Sequence, residues 1–176
     1  MAERHLVLVG LPGSGKTAAG RLAAERLTRG FLDFDEEIER RGGRTVSEIF
    51  AADGEPHFRG LEHELSERVA REPAMVLAPG GGWMTNAFAA ATLRPSARII
   101  YLRVTPGVAL ARMGDALHVR PLLAGPDPRG ALDGLLARRA AVYETADHAL
   151  DTTALSLEEV ADSLVAMYRD LERADA

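Results

Sequence analysis

The sequence predicts an α/β domain of three layers, with helices covering both faces of a parallel sheet. Three observations lead there. Short apolar runs alternate along the chain with longer amphipathic stretches, the pattern of strands joined through helices. One run, Ile99-Ile100-Tyr101-Leu102, is almost wholly apolar, as a strand buried on both faces requires. The first run, His5-Leu6-Val7-Leu8-Val9, feeds a glycine-rich turn and then a helix-forming stretch.

The elements follow in order. Candidate strands are Leu6–Val9, Phe31–Phe34, Met75–Ala78, Arg98–Leu102 and His148–Leu150. Candidate helices are Lys16–Leu27, Val46–Ala52, Pro56–Arg71, Ala87–Leu93, Pro106–Met113, Asp133–Glu144 and Leu157–Arg173. Thr45-Val46-Ser47-Glu48 reads as a capping box, with Thr45 at the N-cap and Glu48 three residues on. The last helix carries Leu157, Val160, Ala161, Leu164, Val165 and Tyr168 on one face, suited to packing on the sheet. Two segments, Gly80–Asn86 and Gly114–Gly130, lack either periodicity. Such loops in a small domain often carry function.

The chain has 176 residues, enough for one domain with a real core. Apolar residues make up 47% and charged residues 27%, as in a globular domain. The net charge of −5 and the lack of a basic stripe argue against a nucleic-acid partner. With no cysteine, disulfides, thiolate catalysis and cysteine-ligated metals are excluded. Met1-Ala2-Glu3-Arg4 runs straight into the first strand, and no apolar run approaches the length of a membrane span. A cytoplasmic protein without a membrane partner is the expectation.

The turn Gly10-Leu11-Pro12-Gly13-Ser14-Gly15-Lys16-Thr17 matches G-x-x-x-x-G-K-[ST], the phosphate-binding P-loop, between the strand and the helix that the motif needs. Glycines let the backbone wrap around an anion, and N–H groups at a helix N-terminus converge on phosphate oxygens. Lys16 can reach the β- and γ-phosphates, and Thr17 can offer its hydroxyl to Mg²⁺. The expected fold is therefore of the P-loop NTPase type.

What happens to a bound nucleotide depends on other groups. The run Leu32-Asp33-Phe34-Asp35 puts two carboxylates at the C-terminal end of a strand, where open α/β sheets bind ligands. Read as strand, alternation sets both on one face. One can serve Mg²⁺ through water and the other can accept from an acceptor hydroxyl; alternatively, they cap a helix starting at Glu36. Gly80-Gly81-Gly82 suggests either close backbone approach to a ligand or a flexible turn. Arg59, Arg120 and Arg139 stand out among the arginines by their settings, although a surface arginine is ordinarily just solvated. None of the five histidines shows ligand spacing.

Taken together, these segments resemble shikimate kinase over nearly the whole chain. The specific part is the ordered set Leu32-Asp33-Phe34-Asp35, Ile38-Glu39, Ile49-Phe50, Gly54-Glu55, Phe58-Arg59, Glu62, Gly80-Gly81-Gly82, Arg120-Pro121-Leu122-Leu123, and Arg139 four residues before Tyr143. The resemblance implies one kinase domain, 1–176, with a five-stranded parallel sheet, a substrate-binding subdomain at about 33–62 and a mobile lid at about 114–126. It implies ATP-dependent phosphorylation of the shikimate 3-hydroxyl, in chorismate and aromatic amino-acid biosynthesis, by a monomer. Gly13, Ser14, Gly15, Lys16, Thr17 and Ala18 would bind ATP, with Arg112 at the adenine and Arg120 closing from the lid. Thr17 and, through water, Asp33 would hold Mg²⁺. Asp35 would bind the reacting hydroxyl, and Arg59 and Arg139 would grip the carboxylate beside Gly80, Gly81 and Gly82. Lys16, Asp35 and Arg120 would be the catalytic set.

The chain departs from the family pattern at two places. Trp83, the single tryptophan, follows the glycine triplet and either lines the acceptor site or packs beside a helix. Asp151-Thr152-Thr153-Ala154-Leu155 lacks the family's adenine-contacting arginine and proline. Two other functions share parts of the pattern: a P-loop kinase for another hydroxy acid such as gluconate, and a nucleotide-binding module without catalysis.

Overall fold

A computed structural model describes residues 3–115, 123 and 125–174. Its sheet contains β1 (His5–Val9), β2 (Phe31–Asp33), β3 (Val76–Ala78), β4 (Ala97–Arg103) and β5 (His148–Asp151). The order is β2-β3-β1-β4-β5, with every pairing parallel. β1 lies at the centre, and its turn into the P-loop opens above the C-terminal ends of its neighbours. Around the sheet stand α1 (Lys16–Leu27), α2 (Phe34–Gly42), α3 (Val46–Val69), α4 (Ala87–Leu93), α5 (Pro106–Met113), α6 (Pro128–Tyr143) and α7 (Leu157–Ala174).

The period of two sorts the strands' side chains into two cores. Leu6, Leu8, Val76, Ile100 and Leu102 pack with Ala19, Ala23 and Ala24 of α1 and Val160, Leu164, Val165 and Tyr168 of α7. Val7, Val9, Leu77, Ile99 and Tyr101 face the other way, against Phe34, Ile38, Ile49, Phe58, Leu65, Leu93, Leu132 and Tyr143 of the remaining helices. The expected three layers are thus present.

The details correct several boundaries. β2 ends at Asp33, and the chain turns at once into α2, so of the two readings of this run the helix cap holds for Asp33, with the helix starting two residues before Glu36. Asp35 therefore sits in the first turn of a helix. Strand alternation does not apply to it. The signal was present: Asp33 with Glu36 three residues on has the spacing of a helix start. The two helices expected at 46–52 and 56–71 are both present as the two segments of α3, separated at Gly54, whose backbone is not helical (φ 82°, ψ 169°). Pro56 follows the break, so it stands in the first turn of the second segment, where its missing N–H costs little. α6 begins five residues before the expected Asp133, since Asp127 caps it and Pro128 occupies its first position.

One histidine is held inside the first strand. His5 is 2% exposed, and its Nδ1 accepts from the N–H of Met75 at 3.2 Å. Burial lowers its pKa, against a backbone bond to Val69 that raises it. The neutral ring is thus favoured in the fold, and below about pH 6.5 the unfolded chain takes up the proton more readily. Stability is therefore expected to fall as the pH drops from 7.5 to 5. Replacing His5 by Gln should shrink the difference between thermal midpoints at these two pH values. An undiminished difference would assign the slope to other groups.

Candidate active site

A cleft of about 820 Å³ runs along the C-terminal edge of the sheet. The P-loop forms one wall. Gly13 and Gly15 adopt positive φ (79° and 91°), a region that L side chains resist. Gly13 is constrained twice, because a Cβ there would lie 2.4 Å from the carbonyl oxygen of Ala109. Gly15 caps α1 without a side-chain bond, and no acidic residue stands in the first turn. The helix therefore presents the positive end of its dipole to the cleft with no carboxylate in its own first turn. Lys16 Nζ donates to the carbonyls of Gly10 (2.9 Å) and Leu11 (2.8 Å), folding back across the loop.

Asp33 links this wall to the next one. Its Oδ1 accepts from the N–H groups of Asp35 (3.0 Å) and Glu36 (3.2 Å), so it does cap a helix, α2. Its Oδ2 accepts from Thr17 Oγ1 at 2.6 Å. Capping and a place beside the phosphate loop are roles of a single carboxylate. A hydroxyl and a carboxylate oxygen this close form a hard donor pair that suits Mg²⁺, which keeps waters and takes its other ligands from phosphate. Among the described residues, no group of three or more His, Asp and Glu could hold a metal alone.

The opposite end is built on the glycine triplet. A Cβ on Gly80 would lie 3.0 Å from Asp35 Oδ1, one on Gly81 3.2 Å from an Arg139 nitrogen, and one on Gly82 2.3 Å from an Arg59 nitrogen. None of the three has positive φ. Their smallness makes space, and the structure thereby brings Asp35, Arg139 and Arg59 together along one stretch of backbone. All three line the cleft.

Ion pairs hold this end in place. Arg59 donates to Glu62 Oε2 and to Glu55 Oε1, both at 2.8 Å. Glu62 is fully buried. Burial raises its pKa, against the pull of Arg59 and Asn86. Burial alone would lower Arg59, but the two glutamates outweigh it and raise the guanidinium. Arg139 is buried on α6, and Tyr143, one turn on, donates to the Gly81 carbonyl at 2.5 Å. Burial raises the Tyr143 hydroxyl while Arg139 pulls it down. Glu62 and Tyr143 had no role assigned from sequence. Their signal was helical spacing, three after Arg59 and four after Arg139.

Two expected residues lie elsewhere or out of view. Trp83 is fully buried and its Nε1 donates to Ser66 Oγ at 3.1 Å, which settles the choice in favour of packing. Arg120 and most of the expected lid, 116–122 and 124, lie outside the described residues. Arg112 reaches the far end of the cleft, near Leu155 and Leu157. It donates to Thr152 Oγ1 (3.0 Å) and to the Thr152 carbonyl (2.5 Å).

A P-loop against a parallel sheet, facing a pocket of paired arginines and a carboxylate, defines a small-molecule phosphotransferase of the P-loop class. The shikimate kinase family model matches residues 12–169. Shikimate kinase of Symbiobacterium thermophilum is 46% identical over 158 residues, covering 89% of this chain and 91% of that protein. That of Thermobifida fusca is 44% identical over 168 residues, covering 94% and 95%. Shikimate kinase from Acinetobacter baumannii, solved in complex with shikimate, superposes with a TM-score of 0.90 at 34% identity, covering 96% of this chain and 94% of that one. The chain belongs to the shikimate kinase family.

The double constraint at Gly13 gives a direct test of the loop. Gly13→Ala should bind a fluorescent ADP analogue at least tenfold more weakly and lower the thermal midpoint. A positive-φ Ala costs about 1–2 kcal/mol, or roughly 2–8 °C for a domain of this size, before the clash with Ala109 is added. Parent-like affinity in an equilibrium titration would show that the loop tolerates a side chain there.

Proposed function

We infer that this protein transfers the γ-phosphate of ATP to the 3-hydroxyl of shikimate, giving ADP and shikimate 3-phosphate for aromatic amino-acid biosynthesis. The observation that carries this reading is the convergence of Asp35, Arg59 and Arg139 on Gly80-Gly81-Gly82, in the same cleft as the P-loop. One end suits an anion chain. The other offers two guanidiniums for a carboxylate and one carboxylate for a hydroxyl, the complement of a hydroxylated ring acid.

The residues divide the work. Gly13 to Ala18 hold the phosphates, with Lys16 leaving the loop carbonyls for the β- and γ-oxygens. Arg112 and Leu155 border the base. Thr17, and Asp33 through water, would hold Mg²⁺, whose charge would offset that of the phosphates. Arg59 and Arg139 fix the acceptor's carboxylate, and this orients the ring toward Asp35. The acceptor oxygen then forms its bond to the γ-phosphorus as the bond to the bridging oxygen of ADP breaks. Asp35 orients the hydroxyl and stands ready to receive its proton, although a loose transition state asks little of a base. Arg120, on a lid at about 114–126, supplies a planar cation to the moving phosphoryl group, and the segment at about 33–62 carries the acceptor. We propose that it acts as a monomer, as the family resemblance implies. Among the described residues no helix is long and apolar enough to cross a membrane; action in the cytoplasm is part of the proposal.

A coupled ADP assay with shikimate, with gluconate and with no acceptor tests the reading. Turnover should require shikimate and Mg²⁺ and be nearly absent with gluconate. Equal rates with both acids would point to a different hydroxy-acid kinase, and nucleotide binding without turnover to a non-catalytic module. Arg59→Ala or Arg139→Ala should raise the shikimate KM by more than tenfold and leave nucleotide affinity nearly intact, because truncating one side of a desolvated charge pair costs about 2–5 kcal/mol.

Arg120 acts mainly as charge shifts during transfer, so its loss should appear in kcat. Arg120→Ala is expected to lower kcat by about 10²-fold or more at saturating MgATP, with a smaller change in the shikimate KM. Arg120→Lys should recover only part of that loss. Survival of kcat within about threefold in Arg120→Ala would remove this residue from the catalytic set.

A further inference from the structure

We propose that Asn86 and Trp83 form a two-point positioning clamp that fixes the glycine triplet against Arg59 and Glu62 and so sets the affinity for the acceptor; this rests on the reading given above. Neither side chain lines the cleft. Their effect passes through groups that do.

The chain after the triplet makes a single tight turn, Trp83–Thr85. The N–H of Trp83 donates to the Gly80 carbonyl (3.0 Å), that of Thr85 to the Gly82 carbonyl (3.0 Å), and that of Asn86 to the Trp83 carbonyl (2.9 Å). Thr85 Oγ1 adds a bond to the Gly82 carbonyl at 2.6 Å. Gly80 to Asn86 is therefore braced as one unit, although glycine alone would leave it loose.

That unit is tied to α3 at two points. Trp83 Nε1 donates to Ser66 Oγ at 3.1 Å, and Ser66 Oγ donates in turn to the Glu62 carbonyl at 2.8 Å. Asn86 Nδ2 donates to the Arg59 carbonyl at 2.8 Å and approaches Glu62 Oε2 at 3.4 Å. Arg59, Glu62 and Ser66 are spaced by three and four, so they share one face of the helix. Glu62 Oε2 is the same oxygen that receives Arg59 at 2.8 Å. The amide of Asn86 therefore completes a ring through Glu62 and Arg59. The Trp83 indole also meets the Phe34 ring edge-on at 6.4 Å between centroids, and Phe34 opens α2 between Asp33 and Asp35. The clamp braces three walls of the acceptor pocket at once. At Gly82 the Arg59 guanidinium lies so close that even a Cβ would not fit beside it, so the position of the triplet bears directly on that of Arg59.

Asn86 also caps α4, its Oδ1 accepting from Ala89 N–H at 3.4 Å. Asn86→Asp separates the two roles. It keeps the cap acceptor, but it replaces the donor with a second carboxylate beside Glu62, and that repulsion competes for Arg59. Trp83→Phe keeps an aromatic ring and removes only the indole donor. Steady-state kinetics of both variants, with thermal midpoints, test the proposal. The shikimate KM should rise about tenfold in Asn86→Asp, as when a hydrogen bond to a charged partner is lost. It should rise less in Trp83→Phe, and the MgATP KM should stay within twofold in each. A purely structural role predicts lowered midpoints with both KM values unchanged. A shikimate KM within threefold of the parent in Asn86→Asp overturns the clamp, as does an equal rise for both substrates. If Asn86→Asp does not fold, Asn86→Ser, which keeps a cap without the long amide, is judged by the same criteria. A parent enzyme that fails to turn over shikimate overturns the functional reading as well, whereas a working parent with unchanged variants overturns the clamp alone.

Discussion

The arrangement depends on one carboxylate. Asp33 ends β2, caps α2 through one oxygen and receives the Thr17 hydroxyl through the other. The first contact fixes where Asp35 stands, because Asp35 lies in the turn that Asp33 caps. The second fixes that turn relative to the first residues of α1, which carry the phosphate loop. Donor and acceptor ends of the cleft are thus referenced to each other across a single side chain. A carboxylate suits this duty because it has acceptor capacity on both oxygens and complements the positive end of the α2 dipole. Asparagine in its place would keep the cap and supply a donor where an acceptor for Thr17 is needed.

The acceptor end shows a different economy. Two arginines and two carboxylates sit close together beneath partial burial, which is unfavourable unless each charge finds a partner. Glu62, fully buried, is tolerable because Arg59 lies 2.8 Å away and the amide of Asn86 approaches the same oxygen. Breaking such a pair costs more than forming it gains, since it leaves a buried charge uncompensated. The cluster therefore specifies geometry more than it adds stability. The break in α3 at Gly54 belongs to the same design. It lets the segment bearing Arg59 and Glu62 take the direction the cleft requires, while Thr45 and Glu48 cap the preceding segment independently.

Much of this was legible in the sequence. The strands, the two-sided burial of β4, the P-loop and the Thr45 capping box follow from periodicity and from local hydrogen-bond chemistry, which act within a few residues. The misreadings have equally local causes. Phe34 looks like strand because it is apolar and follows Leu32, but the cap at Asp33 overrides that preference. The start of α6 was placed late because Asp127 and Pro128 resemble a loop until their joint meaning as cap and first turn is recognised. What periodicity could not reveal is convergence. That Gly80, Gly81 and Gly82 each face a different charged group, from α2, α6 and α3, depends on contacts between residues far apart in the chain. The resemblance supplied the names of those residues, and the structure supplied the reason for the glycines, which is space and not backbone freedom. Trp83 stayed ambiguous for the same cause, since an indole after a turn can face either way until its partner, Ser66, is known.

That burial of Trp83 has an optical consequence. It is the chain's single tryptophan, fully enclosed between Phe34 and Ser66. Tryptophan emission from this protein thus originates at one point, behind the acceptor pocket and out of contact with water. An indole so placed should emit as in an apolar surrounding, and a red shift on denaturation would report hydration of that wall specifically. In a chain whose remaining aromatics are tyrosine and phenylalanine, the fluorescence is a local gauge of whether α2, α3 and the glycine turn are assembled, built into the wild-type sequence without a label.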